Sequence, residues 1–322
     1  MRKIKPNAKK MIALAAIVAA SALVYQFADV DTRHFGFAMG IRTPKLAVML
    51  LSAFCIGCAS IVFQSLINNT VVTPCLLGMN TLYVLIHTTV IFTLGPASSV
   101  VTIKPLSFGT DLVIMAIAAV SMYGWLFKKT RGNVLYILLA GTVMSTLFSS
   151  VTSTMQRVMD PNEYEVLQNA LIASFHKVNS GIILFSLAAV VAVTLFLKED
   201  LALLDVITLG KDQAINLGVD YDRTTRRLLV GVTILIGVAT AMVGPISFLG
   251  LIIANLSRQL FRTFRHTYLT FGSAFIGMAV LLAGQALIEH AFSFSTNISV
   301  FINAGGGAYF LYLLLKNRGA GA

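Results

Sequence analysis

Residues 198–228 read KEDLALLDVITLGKDQAINLGVDYDRTTRRL, the one long polar stretch in a chain built mostly of apolar runs. Lys198, Lys211, Arg223, Arg226 and Arg227 fall in it, with Glu199, Asp200, Asp205, Asp212, Asp220 and Asp222. A charge at the centre of a bilayer costs roughly 3 kcal/mol or more, so this stretch belongs in water. Within it, LGKDQAINLGVD (209–220) sets Leu209, Ala214, Ile215 and Leu217 among polar positions, between Gly210 and Gly218. That spacing predicts one short amphipathic helix bracketed by glycines. An ordered island between apolar runs suits a docking surface; an ordinary cytosolic loop has the same spacing.

Working outward, the chain has 322 residues, of which 57% are hydrophobic and 11% charged. A soluble domain carries about 25% charged residues. The composition therefore predicts an all-α polytopic membrane protein, because only helices satisfy their own backbone in continuous apolar runs. A transmembrane barrel would show short alternating segments instead. About ten runs have membrane length, near 11–28, 46–66, 75–94, 111–127, 134–155, 180–197, 228–244, 247–260, 269–289 and 298–315. The eighth is the shortest. No long linker or low-complexity tail interrupts them, so 1–322 is expected to be a single transmembrane domain.

The charges give the orientation. The net charge is +11. In a membrane protein such an excess marks cytoplasmic loops rather than nucleic-acid binding. With the N-terminus inside, 18 of the 24 Lys and Arg residues fall in inside segments. Both termini and 198–228 are then cytoplasmic, in a cell membrane crossed many times. The basic start (Arg2, Lys3, Lys5, Lys9, Lys10) before Met11–Val24 resembles a signal peptide, but the topology needs an uncleaved first span there. On the outside, Asp160-Pro161-Asn162-Glu163 is a strong helix start, with Asp as cap and Pro at the first position. A short helix at about 161–175 is expected, ahead of His176 and Lys177.

Enzyme chemistry is sparse. There is no G-x-x-x-x-G-K-[ST] phosphate loop, so the chain does not hydrolyse ATP alone. No zinc-protease or nucleophile-elbow motif occurs. Cys55, Cys58 and Cys75 lie in or beside apolar runs and read as packed thiols. No cofactor or metal site is expected. The spans are almost free of charge, and Glu289 and His290 fall at an outer end within reach of water. A carrier driven by ions usually keeps ionisable groups inside its spans, so energy supplied by a separate chain fits better. A second polar cluster, FQSLINNTVVTPCLLG (63–78), forms an uncharged inside turn, where Pro74 starts a helix and Thr73 is its expected cap.

Several separated motifs occur in order along residues 42–316. They are Arg42-Thr43-Pro44-Lys45, the 63–78 cluster, LLAGTVMSTLFSS (138–150), LGKDQAINLGVD, GPISFLGLIIANLSR (244–258) and AGGGAYFLYLLLK (304–316). Together they resemble the permease subunits of ABC importers for iron–siderophore complexes and vitamin B12, in a subgroup associated with catecholate and petrobactin-like siderophores. The sequence departs from the family pattern at Ala254-Asn255, in place of Pro-His, and at Asn297-Ile298-Ser299.

The resemblance implies a ten-helix protomer paired with a second, related permease chain, as a heterodimer. Two separate ATP-binding-cassette ATPase subunits would dock on a coupling helix, here Leu209, Gly210, Lys211, Asp212, Ala214, Leu217 and Gly218. An extracytoplasmic siderophore-binding protein would meet Arg42 and Lys45. The implied function is import of a ferric siderophore. Cobalamin or haem import by the same kind of machine, and an ion-coupled secondary carrier, are the alternatives. Membrane lipid is the remaining partner expected, and nucleic acid is not one. Ser145, Ser149 and Thr152 recur at i, i+4, i+7 on the fifth span and, with Asn303 near Gly305, Gly306 and Gly307, are candidates to line a path. Close helix packing by small residues explains the same pattern. Ser273 and Gly277 are assigned to packing.

Overall fold

A computed structural model describes residues 6–28, 35–130, 134–172, 175, 180–292 and 297–318. Arg2, Lys3, Lys5, His176 and Lys177 lie outside these. Among the described residues, ten helices overlap the ten expected spans, six of them long and apolar enough to cross a membrane. They are α1 (Pro6–Phe27), α2 (Phe35–Ile67), α3 (Asn80–Leu94), α5 (Lys104–Thr130), α6 (Val134–Val158), α8 (Ser180–Phe196), α12 (Tyr221–Val243), α13 (Leu249–Phe261), α14 (His266–Ala291) and α15 (Ile298–Arg318). Short helices fill the connections: α4 (Ser99–Thr102), α7 (Pro161–Leu171), α9 (Lys198–Ala202), α10 (Leu204–Ile207) and α11 (Lys211–Asn216). No strand occurs among the described residues. The eighth span, α13, has 13 residues and rises only about 20 Å at 1.5 Å per residue.

The centre of the molecule is α2. Every residue from Cys55 to Ile67 is buried, and α12 and α14 flank the helix along its length. Small residues make the close approach to α14. Ser273 Oγ donates to the Gly57 carbonyl at 3.1 Å, and Gly277 faces Ala53. The packing role expected for Ser273 and Gly277 is the one they have. Cys55, Cys58 and Cys75 are free and buried, with no disulfide among them. Buried hydroxyls on the central helices turn back on their own turns: Ser52 donates to Val48 O, Thr233 to Leu229 O and Thr240 to Ile236 O. That is how a hydroxyl is satisfied where no water reaches it.

A second group forms where α3 packs on α6 and α5 bridges α3 to α12. The third span does not begin as an ordinary helix. Residues Cys75–Met79 form a kinked turn in which Leu77 and Gly78 leave helical geometry, with Gly78 at φ +104°. Ser145 Oγ sits against Gly78, and Leu77 fills the space left by Gly141. Thr73 does not cap this turn; its hydroxyl is buried without a partner. Pro74 itself is helical and occupies the capping position, so the hydroxyl of Thr73 is one residue too early.

Candidate functional site

The chain's polar residues gather at two ends. At one end lies the stretch 198–228. α11 runs Lys211–Asn216, between Gly210 at φ +102° and Gly218 at φ +84°. A positive φ is cheap only for glycine, so the brackets expected from sequence set the entry and exit of this helix. Asp220 caps the following helix by accepting from Arg223 N–H at 3.1 Å. Ala214 is fully buried beneath α11, while Leu209, Ile215 and Leu217 are each half or more exposed. Lys211 and Asp212 are exposed too. Lys211 pairs with Asp222 at 2.8 Å, and this carboxylate holds the ammonium above its ordinary pKa. The result is an apolar triad on a polar rim, held by a short rigid element.

The foot of this surface is anchored deep in the molecule. Asp205 accepts from the His266 backbone N–H at 2.9 Å and faces His266 Nδ1 at 2.5 Å. A carboxylate only accepts, so Nδ1 carries the proton and Nε2 accepts from Ser65 Oγ at 2.9 Å. Ser65 in turn accepts from Arg258 Nη2 at 3.2 Å, and Arg258 Nε donates to Gln64 Oε1 at 3.3 Å. Gln64 Nε2 and Asn255 Nδ2 both donate to Thr70 O, at 2.7 and 2.9 Å. Asn255 is one of the residues where the sequence departs from the family pattern. A hydrogen-bond network in which Arg258 donates both ways thus ties the 198–228 stretch to the end of α2 and the 67–74 turn. Nearby, Arg227 lies 3.1 Å from Asp200 and over the Phe196 ring at 4.7 Å. Burial pushes the Asp200 carboxyl above its ordinary pKa, against the pull of Arg227.

At the other end, Arg42 donates to the carbonyls of Tyr25 and Ala28, at 3.0 and 2.5 Å. Lys45 is buried, and its ammonium lies 2.6 Å from Glu289. Glu289 also accepts from Gln285 at 2.9 Å and from Tyr25 at 3.3 Å. Water does not surround Glu289 as its position in the sequence suggests. Its side chain is only 10% exposed, because three donors from α1, α2 and α14 enclose it. Another polar pair was hidden in the spans: His87 Nδ1 lies 2.9 Å from Asp111, both buried between α3 and α5. Asp111 opens an apolar run and His87 sits inside one; nothing in either run names the other as partner. Beside them, α7 begins as expected, with Asp160 accepting from Asn162 N–H and Pro161 in its first turn. Its Leu167 is fully buried against Ile91 and Met159.

The candidate path residues do not form one exposed face. Ser145 turns toward Gly78, Thr152 is buried with its hydroxyl unpartnered, and Ser149 is exposed. Asn303 is half-buried on α15, with Oδ1 unpartnered, and Gly306 lies against Phe248. The exposed polar line on α6 is instead Thr142, Thr146, Ser150 and Thr154. Each donates to a carbonyl three or four residues back. Its strict four-residue spacing is visible in the sequence. Among the described residues, no cluster of three or more metal-ligating side chains occurs.

Residues 7–316 match the model of the FecCD transport family. The chain belongs to that family. Similar relatives include the petrobactin import system permease protein YclO of Bacillus subtilis, 38% identical over 288 residues, 89% of this chain and 91% of that one. The petrobactin import system permease protein FatC of Bacillus anthracis is 32% identical, covering 96% of this chain and 87% of that one. The iron(3+)-hydroxamate import system permease protein FhuG of Bacillus subtilis is 28% identical over 85% of this chain and 82% of that one. A solved metal-chelate type ABC transporter in an inward-facing conformation has the same fold. The two share a TM-score of 0.80 at 20% identity, over 96% of this chain and 99% of that chain. As a FecCD family member with several apolar helices long enough to cross a membrane, the chain is a multi-pass membrane protein and a transport permease subunit. Partners of the ABC importer kind, an ATPase and a binding protein, go with the family.

Proposed function

We propose that this chain is the permease subunit of an ABC importer that carries a ferric siderophore of the petrobactin class into the cytoplasm. The observation that carries the reading is the 38% identity to a petrobactin permease over nearly the whole chain. The whole of 1–322 acts as one transmembrane domain, both termini and 198–228 lie in the cytoplasm, and the chain has no enzymatic step of its own.

In this reading Leu209, Gly210, Lys211, Asp212, Ala214, Leu217 and Gly218 form the surface that an ATPase subunit receives. The exposed Leu209, Ile215 and Leu217 supply apolar anchors, and the charges around them supply register. The docked siderophore-binding protein meets the outer corner that holds Arg42 and Lys45. There Arg42 is the more open of the two, since Lys45 is already neutralised by Glu289. A second, related permease chain completes the pathway. Ser145, Ser149, Thr152 and Asn303 contribute to it, together with the hydroxyl line on α6. ATP binding elsewhere moves α11, and the bundle alternates between outward and inward openings. The siderophore brings its own iron ligands, so none is needed from Cys or His here.

Uptake of radiolabelled iron tests the assignment. A strain lacking this gene should lose uptake of iron–petrobactin and regain it on complementation, and excess unlabelled ferric petrobactin should compete. Unchanged uptake in the deletion strain, or competition by haem or cobalamin alone, would exclude the siderophore reading.

A further inference from the structure

A groove of 440 Å³ opens between α2, α8, α12 and α14, apart from the outer corner and from the exposed face of α11. That volume is in the range of ligand pockets, about 300–1,000 Å³. Phe54, Val62, Leu235 and Phe271 are among its walls, all on membrane-spanning helices. Lys198, Thr267 and Thr270 line it at the end that carries residues 198–228, while Thr194, one turn further along α8, spends its hydroxyl on Val190 O. His266 also reaches this end, but both its ring nitrogens are taken, by Asp205 and Ser65. Lys198 is exposed and joins no ion pair among the described residues.

We propose that this groove is a binding site for an anionic phospholipid. One acyl chain lies along the apolar walls, and the phosphate rests on the Lys198 ammonium with the Thr267 and Thr270 hydroxyls as donors. The location selects the ligand. A cleft in the side of spanning helices opens to the lipid phase, where an acyl chain is the solute at hand, and its one basic rim lies at headgroup depth. The unpaired ammonium selects the headgroup. An anionic lipid neutralises it, whereas a zwitterionic one brings a second cation close to it. The lipid would brace α9 and the start of α14; the Asp205–His266 anchor joins that start of α14 to α10, the element directly after α9.

Native mass spectrometry of the purified full-length chain in mild detergent tests this without reference to transport, so its outcome is independent of the importer reading. Phosphatidylglycerol and phosphatidylcholine are the probes. The first phosphatidylglycerol should bind at least tenfold more tightly than phosphatidylcholine. Lys198→Ala, a change at an exposed position, should remove that preference, and Thr270→Trp, which fills the groove, should remove the first bound lipid of either kind. Equal affinity for the two lipids in the wild-type chain, or binding unaltered in Lys198→Ala, would overturn the proposal. If Thr270→Trp fails to fold, Ala202→Trp at the exposed edge of the same groove takes its place, and unaltered first-lipid binding there overturns it equally.

Discussion

At Glu289 three side chains from three helices converge on one carboxylate: Lys45, Gln285 and Tyr25. An ion pair this covered is held by both partners or by neither. Removing one charge leaves the other buried and unpaired, at a cost of roughly 3–5 kcal/mol, while removing both together is close to neutral. Lys45→Met and Glu289→Gln should therefore each lower the unfolding midpoint in detergent strongly, and the double variant should recover most of the loss. A double variant as unstable as the sum of the singles would show that the pair is not the unit. The residue scale is also where the sequence said least. Arg42 and Lys45 were legible as a basic pair ahead of the second apolar run, but not that Glu289 neutralises one of them. Asp205, Ser65 and His266 stand 61 and 201 residues apart along the chain, and His87 lies 24 residues from Asp111. Periodicity places each on a helix end or face; it carries no information about which distant side chain meets it.

Among the elements, α11 was the most legible. Its existence and its two bracketing glycines follow from twelve residues of local pattern, whereas the split between a buried Ala214 and exposed Leu209, Ile215 and Leu217 does not. The requirement at Gly218 is conformational, since an added Cβ there meets open space while φ stays at +84°. A β-branched residue in that conformation costs on the order of 1–2 kcal/mol, enough to move the exit of α11 without disturbing the spans. Gly218→Val, and Asp212→Lys through its charge, should each insert in the membrane at the wild-type level yet lose most iron uptake. Uptake at the wild-type level in both would remove α11 from the coupling role. The start of the third span was less legible. Pro74 suggests an ordinary capped helix, and the kinked turn that stands there depends on the fit of Gly78 and Gly141 to Ser145 and Leu77, contacts between separate helices. The same holds for α6. Its inner and outer faces differ by contact with α3, so Ser145 and Thr152 turn in while the hydroxyls of Thr142 to Thr154 stay out.

For the whole molecule, hydropathy was enough to place the helices, because the bilayer requires spans to be apolar. All ten helices lie where the apolar runs put them. Segments expected on one side also meet in space. Lys10 donates to Leu260 O at 2.7 Å, and the 67–74 turn, Asp205, Arg258 and His266 share one network at that end. Tyr25, Arg42, Lys45 and Glu289 share the other. The arrangement leaves an apolar triad projecting from an otherwise polar end, with the hydroxyl line of α6 uncovered along its side, as a subunit completed by other chains requires. The most direct measurement is ATPase activity of the complex formed by this chain, a second permease and the ATP-binding-cassette subunits, reconstituted in lipid with and without ferric-petrobactin-loaded binding protein. Stable assembly and ATP hydrolysis stimulated by the loaded binding protein, lost in Gly218→Val, is the predicted result; a folded chain that assembles with neither partner and leaves their ATPase unchanged would contradict it.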